Sequence, residues 1–173
     1  MSSEPLHLKD WIGALYAALD QFEPHNARAI RGIAGKLRAR IALDKEAVSV
    51  GFRGPVLDIR KLKRSAPLAA PSGMTSRACV TSILFGYLGV SEAVAQGQLE
   101  LRGSATEVIN IAAIIEILVD ASTRIPPMQK LADQYLALGP TGDLRAEYLA
   151  RRAAKTALLA HERAFLESAG LLE

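Results

Sequence analysis

The stretch ILFGYLGVSEAVAQGQLELRGS, residues 83–104, decides the fold, because its glycines separate three short elements of different periodicity. Apolar residues at helical spacing predict a helix over residues 75–88, which runs into this stretch. Ser91 is a suitable N-cap for a very short helix, and Gly97 ends that helix. Apolar and charged residues alternate over residues 99–102, which is typical of a half-buried strand. The predicted order is therefore helix, short helix, strand.

Two helices are predicted at the beginning of the chain. Apolar residues recur at helical spacing over residues 8–22, which indicates an amphipathic helix. Asn26 is a candidate cap for a second, shorter helix that reaches Ile33, and Gly35 stops it.

The hydrophobic period then changes from helical to alternating. Apolar residues occupy every second position over residues 37–43 and 48–52, and a weaker alternation follows over residues 56–62. Tight turns separate these three segments, so they predict an antiparallel meander. Residues 63–74 are rich in Pro, Ala and Ser and are predicted to form a loop.

The segment after residue 104 predicts a helix over Thr106–Ala121 that is apolar nearly all round. Glu107 and Glu116 fall on opposite sides of a helical wheel, so no single solvated face holds both. We expect the sheet to cover one side of this helix. The cover on the other side is another helix, a partner subunit or a bound ligand.

The end of the chain is predicted to be helical. A helix is expected over Met128–Leu138, and a long final helix is expected from Asp143 to about Ser168. The final helix carries charges of alternating sign, as on a solvated face. Packing back on the domain is the simpler expectation for its apolar side, and a dimerisation arm or an amphipathic membrane contact are the alternatives. The predicted organisation is a first domain over residues 1–125 and a helical C-terminal extension over residues 126–173.

Residues 83–104 resemble the centre of sterol carrier protein-2 domains. In that family a helix ends in Gly, a short capped helix carries an Ala, a Gly follows, and an alternating strand ends in Gly with Asp or Asn. The matching positions here are Gly86, Ser91, Ala93, Gly97, Leu99, Leu101 and Gly103. Two positions depart from the pattern, since Val90 replaces a Pro and Ser104 replaces the Asp or Asn. The order of elements fits the family over residues 8–122.

This resemblance implies an α+β fold, in which a small, largely antiparallel sheet of four or five strands is covered by helices. It also implies an apolar cavity between the two layers. Family members bind sterols, fatty acyl chains or isoprenoid-like molecules. Some bacterial members are accessory factors in ubiquinone synthesis, and others are appended to enzymes and help them dimerise.

The candidate site residues are therefore aliphatic and aromatic wall residues. The apolar helix at Thr106–Ala121 is the first candidate wall, and the segment at residues 83–88 is the second. For each of these residues, ordinary core packing is the alternative. The candidate ligand-binding residues are Phe52, Ile83, Leu84, Tyr87, Leu88, Leu101, Ile111, Ile114, Ile115 and Leu118.

Bulk composition favours a cytoplasmic protein with a packed core. Half of the 173 residues are hydrophobic, and no secretory signal or apolar run of membrane-spanning length is present. A single cysteine, Cys79, cannot form an intrachain disulfide, which fits a reducing compartment. The net charge of +3 is spread widely.

Basic residues near the third predicted strand are candidates for transient contact with an anionic membrane surface. The candidates are Arg60, Lys61, Lys63 and Arg64. A solvated strand end and loop is the alternative. Interleaved aromatic residues and a recognition helix are missing from this segment, so we expect no nucleic-acid partner.

Nothing in the sequence names catalytic residues, a metal site or a cofactor. His7, His25 and His161 have no metal-ligand spacing, and no nucleophile elbow or phosphate loop is present. The predicted function is non-enzymatic binding or transfer of a lipid-like ligand of the sterol, fatty acyl or isoprenoid quinone type. The alternative is an assembly, scaffold or dimerisation factor for a lipid- or quinone-metabolising complex. A homodimer is compatible with both, and an enzyme of undefined type is the third hypothesis.

Overall fold

The structure is a computed structural model of the chain. It describes residues 6–63, 71–137, 143, 145–150, 152 and 153. The chain divides into two compact units, Met1–Thr141 and Gly142–Glu173. In the second unit, residues 145–150 are helical, and the rest of the predicted final helix lies largely outside the described residues.

The described part of the first unit contains six helices and five strands. In chain order they are α1 (Leu8–Phe22), α2 (Pro24–Ala34), β1 (Arg38–Leu43), β2 (Glu46–Arg53), β3 (Val56–Leu62), β4 (Ser72–Thr75), α3 (Arg77–Leu84), α4 (Val90–Ala95), β5 (Glu100–Arg102), α5 (Ala105–Arg124) and α6 (Pro126–Leu136). The predicted bounds of α1 and β3 are confirmed, because clear turn or cap residues bound the hydrophobic pattern in both.

The five strands form one sheet in the order β3-β2-β1-β4-β5. Strands β1, β2 and β3 form the predicted antiparallel meander, and β5 is antiparallel to β4. Strand β1 pairs with β4 in parallel, so the sheet is mixed. The predicted α+β class with a small, largely antiparallel sheet covered by helices is confirmed.

Strand β4 corrects the prediction of a loop over residues 63–74. It has four residues, Ser72-Gly73-Met74-Thr75, and lacks the β-branched run that marks a strand in sequence. It is extended because it lies between two partners, with Ile41 opposite Gly73 on one side and Leu101 opposite Gly73 on the other. Its pairing therefore depends on residues distant in sequence.

The helix starts differ from the predictions at α2 and α4. Helix α2 begins at Pro24 and not after Asn26, since a Pro at the first helical position has no N–H to leave unpaired. Helix α4 begins at Val90, with Gly89 rather than Ser91 as its N-cap. Helix α3 spans only Arg77–Leu84, because the Ser76 side chain caps it by accepting a hydrogen bond from the Cys79 N–H.

Ser104, a departure from the family pattern, begins the long helix α5. Its side chain accepts the Glu107 N–H, and the Glu107 carboxylate accepts the Ser104 N–H at 2.8 Å. This capping box satisfies two backbone donors that a helix start otherwise leaves open. The position of Ser104 therefore has a structural role that the sequence pattern S-x-x-E already contains.

Helix α6 packs into the core of the first unit. Its Tyr135 ring stacks on Trp11 of α1, with ring centroids 4.4 Å apart. Met128 of α6 is fully buried in a cluster with Leu19 of α1 and Ile30 of α2. The division at residue 125 into a domain and an extension stays a prediction, but α6 lies in the same compact unit as the sheet.

Candidate ligand-binding cavity

The alternation of each strand gives the sheet an apolar inner face. Ala39 opposite Val50, and Ile41 opposite Val48, project toward the helices, as do Phe52 and Leu57 on the outer two strands of the meander. Helices α1, α2, α3, α5 and α6 cover this face. The sheet and the helices meet closely at one end, where Leu43, Val48 and Leu8 form a buried cluster.

An apolar cavity of about 270 Å³ lies between the sheet and the helices. Side chains of five helices and all five strands line it, so it is a feature of the whole layered fold. The lining carries no Asp, Glu, Lys, Arg or His side chain among the described residues. A space with such walls excludes charged groups and accepts hydrocarbon, because apolar burial is favourable there and ion burial is costly.

Eight of the ten residues predicted from the sequence line this cavity. They are Phe52, Ile83, Leu84, Leu101, Ile111, Ile114, Ile115 and Leu118. Whether they contact a ligand stays a prediction, since the structure shows the wall and not an occupant.

Tyr87 and Leu88 lie away from the cavity lining. Helix α3 ends at Leu84, and the chain then turns at Gly86, whose φ of 72° redirects it. The Tyr87 ring stacks against exposed Phe85 with ring centroids 6.1 Å apart, and Leu88 is buried in a separate cluster. The predicted continuation of α3 to residue 88 had placed both side chains on its inner face.

Helices α1, α2 and α6 contribute wall residues that are not among the candidates predicted from the sequence. The main ones are Leu8, Trp11, Ile12, Leu15, Tyr16, Ile30, Ala34, Met128 and Ala132. The signal was available for α1, since its apolar stripe at helical spacing faces the sheet. The signal was weaker for α6, which begins with two prolines and lies far from the sheet in sequence.

Helix α5 divides its apolar side chains between the cavity and the exterior. Ile111, Ile115 and Leu118 face the cavity, and Ala121 packs on α2. Ile109, on the opposite side of the helix, is 66% exposed. The expected cover is therefore present on the side of α5 that faces the cavity. On the opposite side the expected cover is missing at Ile109, which is exposed.

Three polar side chains in the lining donate their hydrogen bonds to the protein itself. Trp11 Nε1 donates to the Leu131 carbonyl at 3.1 Å. Thr75 Oγ1 donates to the Gln98 carbonyl at 2.9 Å, and Ser122 Oγ donates to the Val119 carbonyl at 2.6 Å. Since these donors are occupied, they offer little recognition to a polar group inside the cavity.

Tyr16 is the lining residue that connects the wall to a charged side chain. Its hydroxyl donates to the Ala27 carbonyl at 3.3 Å and accepts from Arg31 Nη1 at 3.2 Å. Arg31 also lies 3.7 Å from Asp20. Burial raises the pKa of the Tyr16 hydroxyl, and the Arg31 guanidinium opposes that rise. The hydroxyl is therefore protonated at neutral pH.

A group of polar contacts around Glu46, here called the Glu46 clasp, holds one end of the layers together. The carboxylate accepts the Leu8 N–H at 3.2 Å and contacts His7 Nδ1 at 3.0 Å. It also accepts the Tyr135 hydroxyl at 3.0 Å and Arg77 Nη2 at 3.1 Å. Strand β2, α1, α3 and α6 thus meet at a single side chain.

The pKa shifts in the clasp follow from these contacts. Burial alone would raise the pKa of Glu46, but hydrogen bonds from the Leu8 N–H, His7 and Tyr135 outweigh it and hold the value below its usual range. Burial raises the pKa of Tyr135 to about 12, against the opposing effect of Arg77. Glu46 is therefore ionised and Tyr135 protonated at neutral pH, which suits an arginine at 4.5 Å from the Tyr135 ring centroid.

The predicted basic segment is split by the pleat of β3. Arg60 projects to the outer face of the sheet, where it pairs with Asp58 at 3.1 Å. Lys61 lies opposite the inward-facing Val48 and therefore belongs to the other face of the sheet. Exposed Lys63 follows the end of the strand. Arg64 lies outside the described residues. The described members therefore do not form one continuous patch.

Chemically reactive groups are sparse in the described residues. Cys79 is buried, and burial raises the pKa of its thiol, so the thiol stays protonated at neutral pH. The described part of the chain holds no group of His, Cys, Asp and Glu side chains arranged to bind a metal ion. None of its helices is long and apolar enough to cross a membrane.

Comparison with solved structures shows a likeness to proteins described as sterol carriers. A structure titled UbiJ-SCP2 ubiquinone synthesis protein is 18% identical over 73% of this chain and 98% of its own, with a TM-score of 0.48. A conserved hypothetical protein from Thermus thermophilus, whose title suggests a sterol carrier, is 19% identical over 80% of this chain and 96% of its own, with a TM-score of 0.45.

Sterol carrier protein 2 like 2 of Aedes aegypti is 18% identical over 53% of this chain and 94% of its own, with a TM-score of 0.33. No family model matches the chain, and no curated protein matches it either. The α+β architecture expected from the resemblance of residues 83–104 is confirmed by the described sheet and helices themselves. The chemistry of the site is read from the cavity alone.

Proposed function

We propose that the protein binds a lipid-like hydrophobic ligand in the cavity and acts as a carrier or accessory protein without catalysing a reaction. The observation that supports this proposal is the apolar lining, which holds no charged side chain in the described part of the chain. A protein that needed only a stable core would gain by filling such a space, since empty cavities destabilise folds. A retained cavity is therefore the expected mark of an apolar ligand site.

The size of the cavity favours one slender hydrocarbon chain. Its volume of about 270 Å³ lies just below the usual range for ligand pockets, roughly 300–1,000 Å³. A single fatty acyl or isoprenoid chain suits this volume better than a ligand that buries several chains. Of the predicted ligand types, the fatty acyl type is therefore favoured, because a sterol and an isoprenoid quinone are both bulkier than a single acyl chain.

The polar end of such a ligand is expected near Tyr16. The polar groups on the rest of the wall donate to backbone carbonyls, so a ligand hydroxyl, carbonyl or carboxylate finds few partners in the interior. Arg31 donates a hydrogen bond to the Tyr16 hydroxyl and so joins a cation to the cavity wall. A ligand with an apolar chain and a polar end fits this arrangement.

The proposal is tested on the full chain purified without detergent. Organic extraction followed by mass spectrometry is expected to release a hydrocarbon-chain compound at near-stoichiometric yield. The delipidated protein is then expected to bind the uncharged fluorophore 1-N-phenylnaphthylamine, and long-chain fatty acids or prenols are expected to displace it. A protein that carries no apolar compound and binds neither the fluorophore nor any of these chains would refute the proposal.

The second candidate function is an assembly, scaffold or dimerisation factor, which the exposed apolar side chains favour. Ile109 is 66% exposed and Phe85 is 60% exposed, so both are available to a partner chain. Light scattering of the purified protein tests for a homodimer, and substitution of either residue by Ser is expected to weaken any dimer in which that residue is buried.

Membrane contact through Arg60, Lys61, Lys63 and Arg64 also stays a proposal.

A further inference from the structure

The outer face of the sheet, opposite the cavity, carries a row of residues in register across three strands. Arg38 of β1 lies opposite Gly51 of β2, and Gly51 lies opposite Asp58 of β3. Arg53 and Arg60 project to the same face. Across the three strands of the meander, Asp58 is the one acidic residue with this parity.

Three guanidinium groups converge on one oxygen of Asp58. Arg38 Nη2 lies at 2.5 Å from Oδ2, Arg53 Nε at 2.9 Å and Arg60 Nη2 at 3.1 Å. These four side chains are here called the Asp58 cluster. Three positive charges against one negative charge leave a local excess of two positive charges. Such an excess in a small area attracts a second anion.

The cluster is held open by Gly51. A Cβ at this position would lie 3.1 Å from the Leu37 carbonyl oxygen, tighter than most packing contacts, and 3.4 Å from the Arg38 Cβ, at the limit of ordinary contact. Without it, the Arg38 side chain crosses β2 to reach Asp58, and its Nη1 also contacts Ser49 Oγ at 3.3 Å. Arg38 is thereby fixed in orientation before any ligand arrives.

The other two arginines keep donors available to solvent. Among the ion pairs of the described residues, Arg53 and Arg60 each pair with Asp58, and their side chains are 67% and 53% exposed. A guanidinium has five N–H donors, so most of those on Arg53 and Arg60 face outward. Donors that are oriented by a shared carboxylate and still exposed can donate to a bound oxyanion.

We propose that the Asp58 cluster is an anion site that binds a phosphate group on the outer face of the sheet. A phosphate offers three oxygens and up to two negative charges, which match several guanidinium forks and the local excess of charge. A single carboxylate is a poorer match, because Asp58 already supplies one to the same donors. The phosphate belongs to a phospholipid headgroup or to a soluble phosphate compound.

Val56 distinguishes these two sources. It lies on the same face of β3 as Asp58 and is 63% exposed. An exposed valine beside arginines contributes to binding at a lipid surface, where it meets acyl chains, and contributes nothing to binding of a small phosphate in water. Val56→Ser is therefore expected to weaken binding to vesicles only.

The experiment compares the wild-type chain with the double variant Arg53→Gln/Arg60→Gln and a matched control. The control, Lys9→Gln/Lys130→Gln, makes the same change in net charge at two exposed lysines on α1 and α6. One arm measures cosedimentation with phosphatidylcholine vesicles that contain phosphatidic acid, against pure phosphatidylcholine vesicles. The other arm titrates inorganic phosphate and follows the arginine Nε–H signals by NMR.

The arginine variant is expected to lose about thirtyfold in affinity for the acidic vesicles or for phosphate, about fivefold for each arginine. The control is expected to lose far less. Binding to acidic vesicles that Val56→Ser weakens supports the headgroup as the source, and phosphate binding without vesicle binding supports a soluble phosphate. No binding in either arm, or an equal loss in both double variants, would overturn the proposal. Binding of 1-N-phenylnaphthylamine is expected to be the same in all variants, so this test is independent of the cavity.

Discussion

Filling the cavity by a single substitution separates a ligand site from an ordinary core. Ala39 on β1 faces the cavity and is only half-buried, so the structure has room in front of its methyl group. Ala39→Leu adds three carbon atoms to the wall without altering a charge or a hydrogen bond. In a filled core, such an enlargement costs roughly 1–3 kcal/mol.

In this cavity we expect the enlarged side chain to stabilise the protein instead of destabilising it. Three added carbons at about 0.8 kcal/mol each are expected to raise the free energy of unfolding of the delipidated protein by about 2.4 kcal/mol. The same three carbons displace an equal part of a bound chain, so ligand affinity is expected to fall by a similar free energy, about sixtyfold. Stability and affinity are therefore expected to change in opposite directions.

The assay combines urea denaturation of the delipidated chain with titration of 1-N-phenylnaphthylamine. Ala105→Leu is the matched control, because Ala105 is exposed at the first turn of α5, and it is expected to change stability by less than about 0.5 kcal/mol. A destabilised Ala39→Leu variant that binds the fluorophore as the wild type does would refute two claims: that unfilled space lies in front of Ala39, and that a ligand occupies this space.

The remaining predictions concern the Glu46 clasp. Because the pKa of Glu46 is lowered in the fold, its contribution to stability is complete above the ordinary value of 4.5 and is lost as the pH falls through the folded value. Glu46→Gln is expected to cost about 2 kcal/mol at neutral pH and to make the acid-induced loss of stability shallower, which urea melts at several pH values measure. Tyr135→Phe keeps the ring stack on Trp11 and removes one hydrogen bond, so it is expected to cost about 1–2 kcal/mol. Since the pKa of Tyr135 is raised to about 12, stability from this group is lost as the pH rises from 10 to 12, and ultraviolet titration of the variant is expected to lack the step near 12. An unchanged titration would show that Tyr135 is not the late group.

The elements that the sequence predicts well are those whose signals are local. Helix α1 and strand β3 have their predicted bounds, since an unbroken hydrophobic period and adjacent turn residues define them. Strand β4 was missed because the extended state of Ser72–Thr75 comes from hydrogen bonds to β1 and β5, at a distance of many residues. The local strand propensity of these residues therefore does not predict that pairing.

The residues that line the cavity were likewise predicted only where their signal is local in sequence. Ile111, Ile114 and Leu118 were found because an all-apolar helix has to be covered on more than one side. Tyr87 was misplaced because the end of α3 depends on how the chain turns at Gly86, two residues after the last helical residue. The layer formed by α1 and α6 was missed because it depends on which helices cover which part of the sheet, and a single-element pattern cannot supply that information.

Gly51 belongs to both surfaces of the sheet. Its backbone is part of the cavity wall, and its missing side chain is what allows Arg38 to reach Asp58 on the other side. At Gly51 only the backbone of β2 separates the apolar cavity from the charged outer face of the sheet. Any larger residue at this position alters both surfaces at once, so improvements to one cannot be made there without consequences for the other.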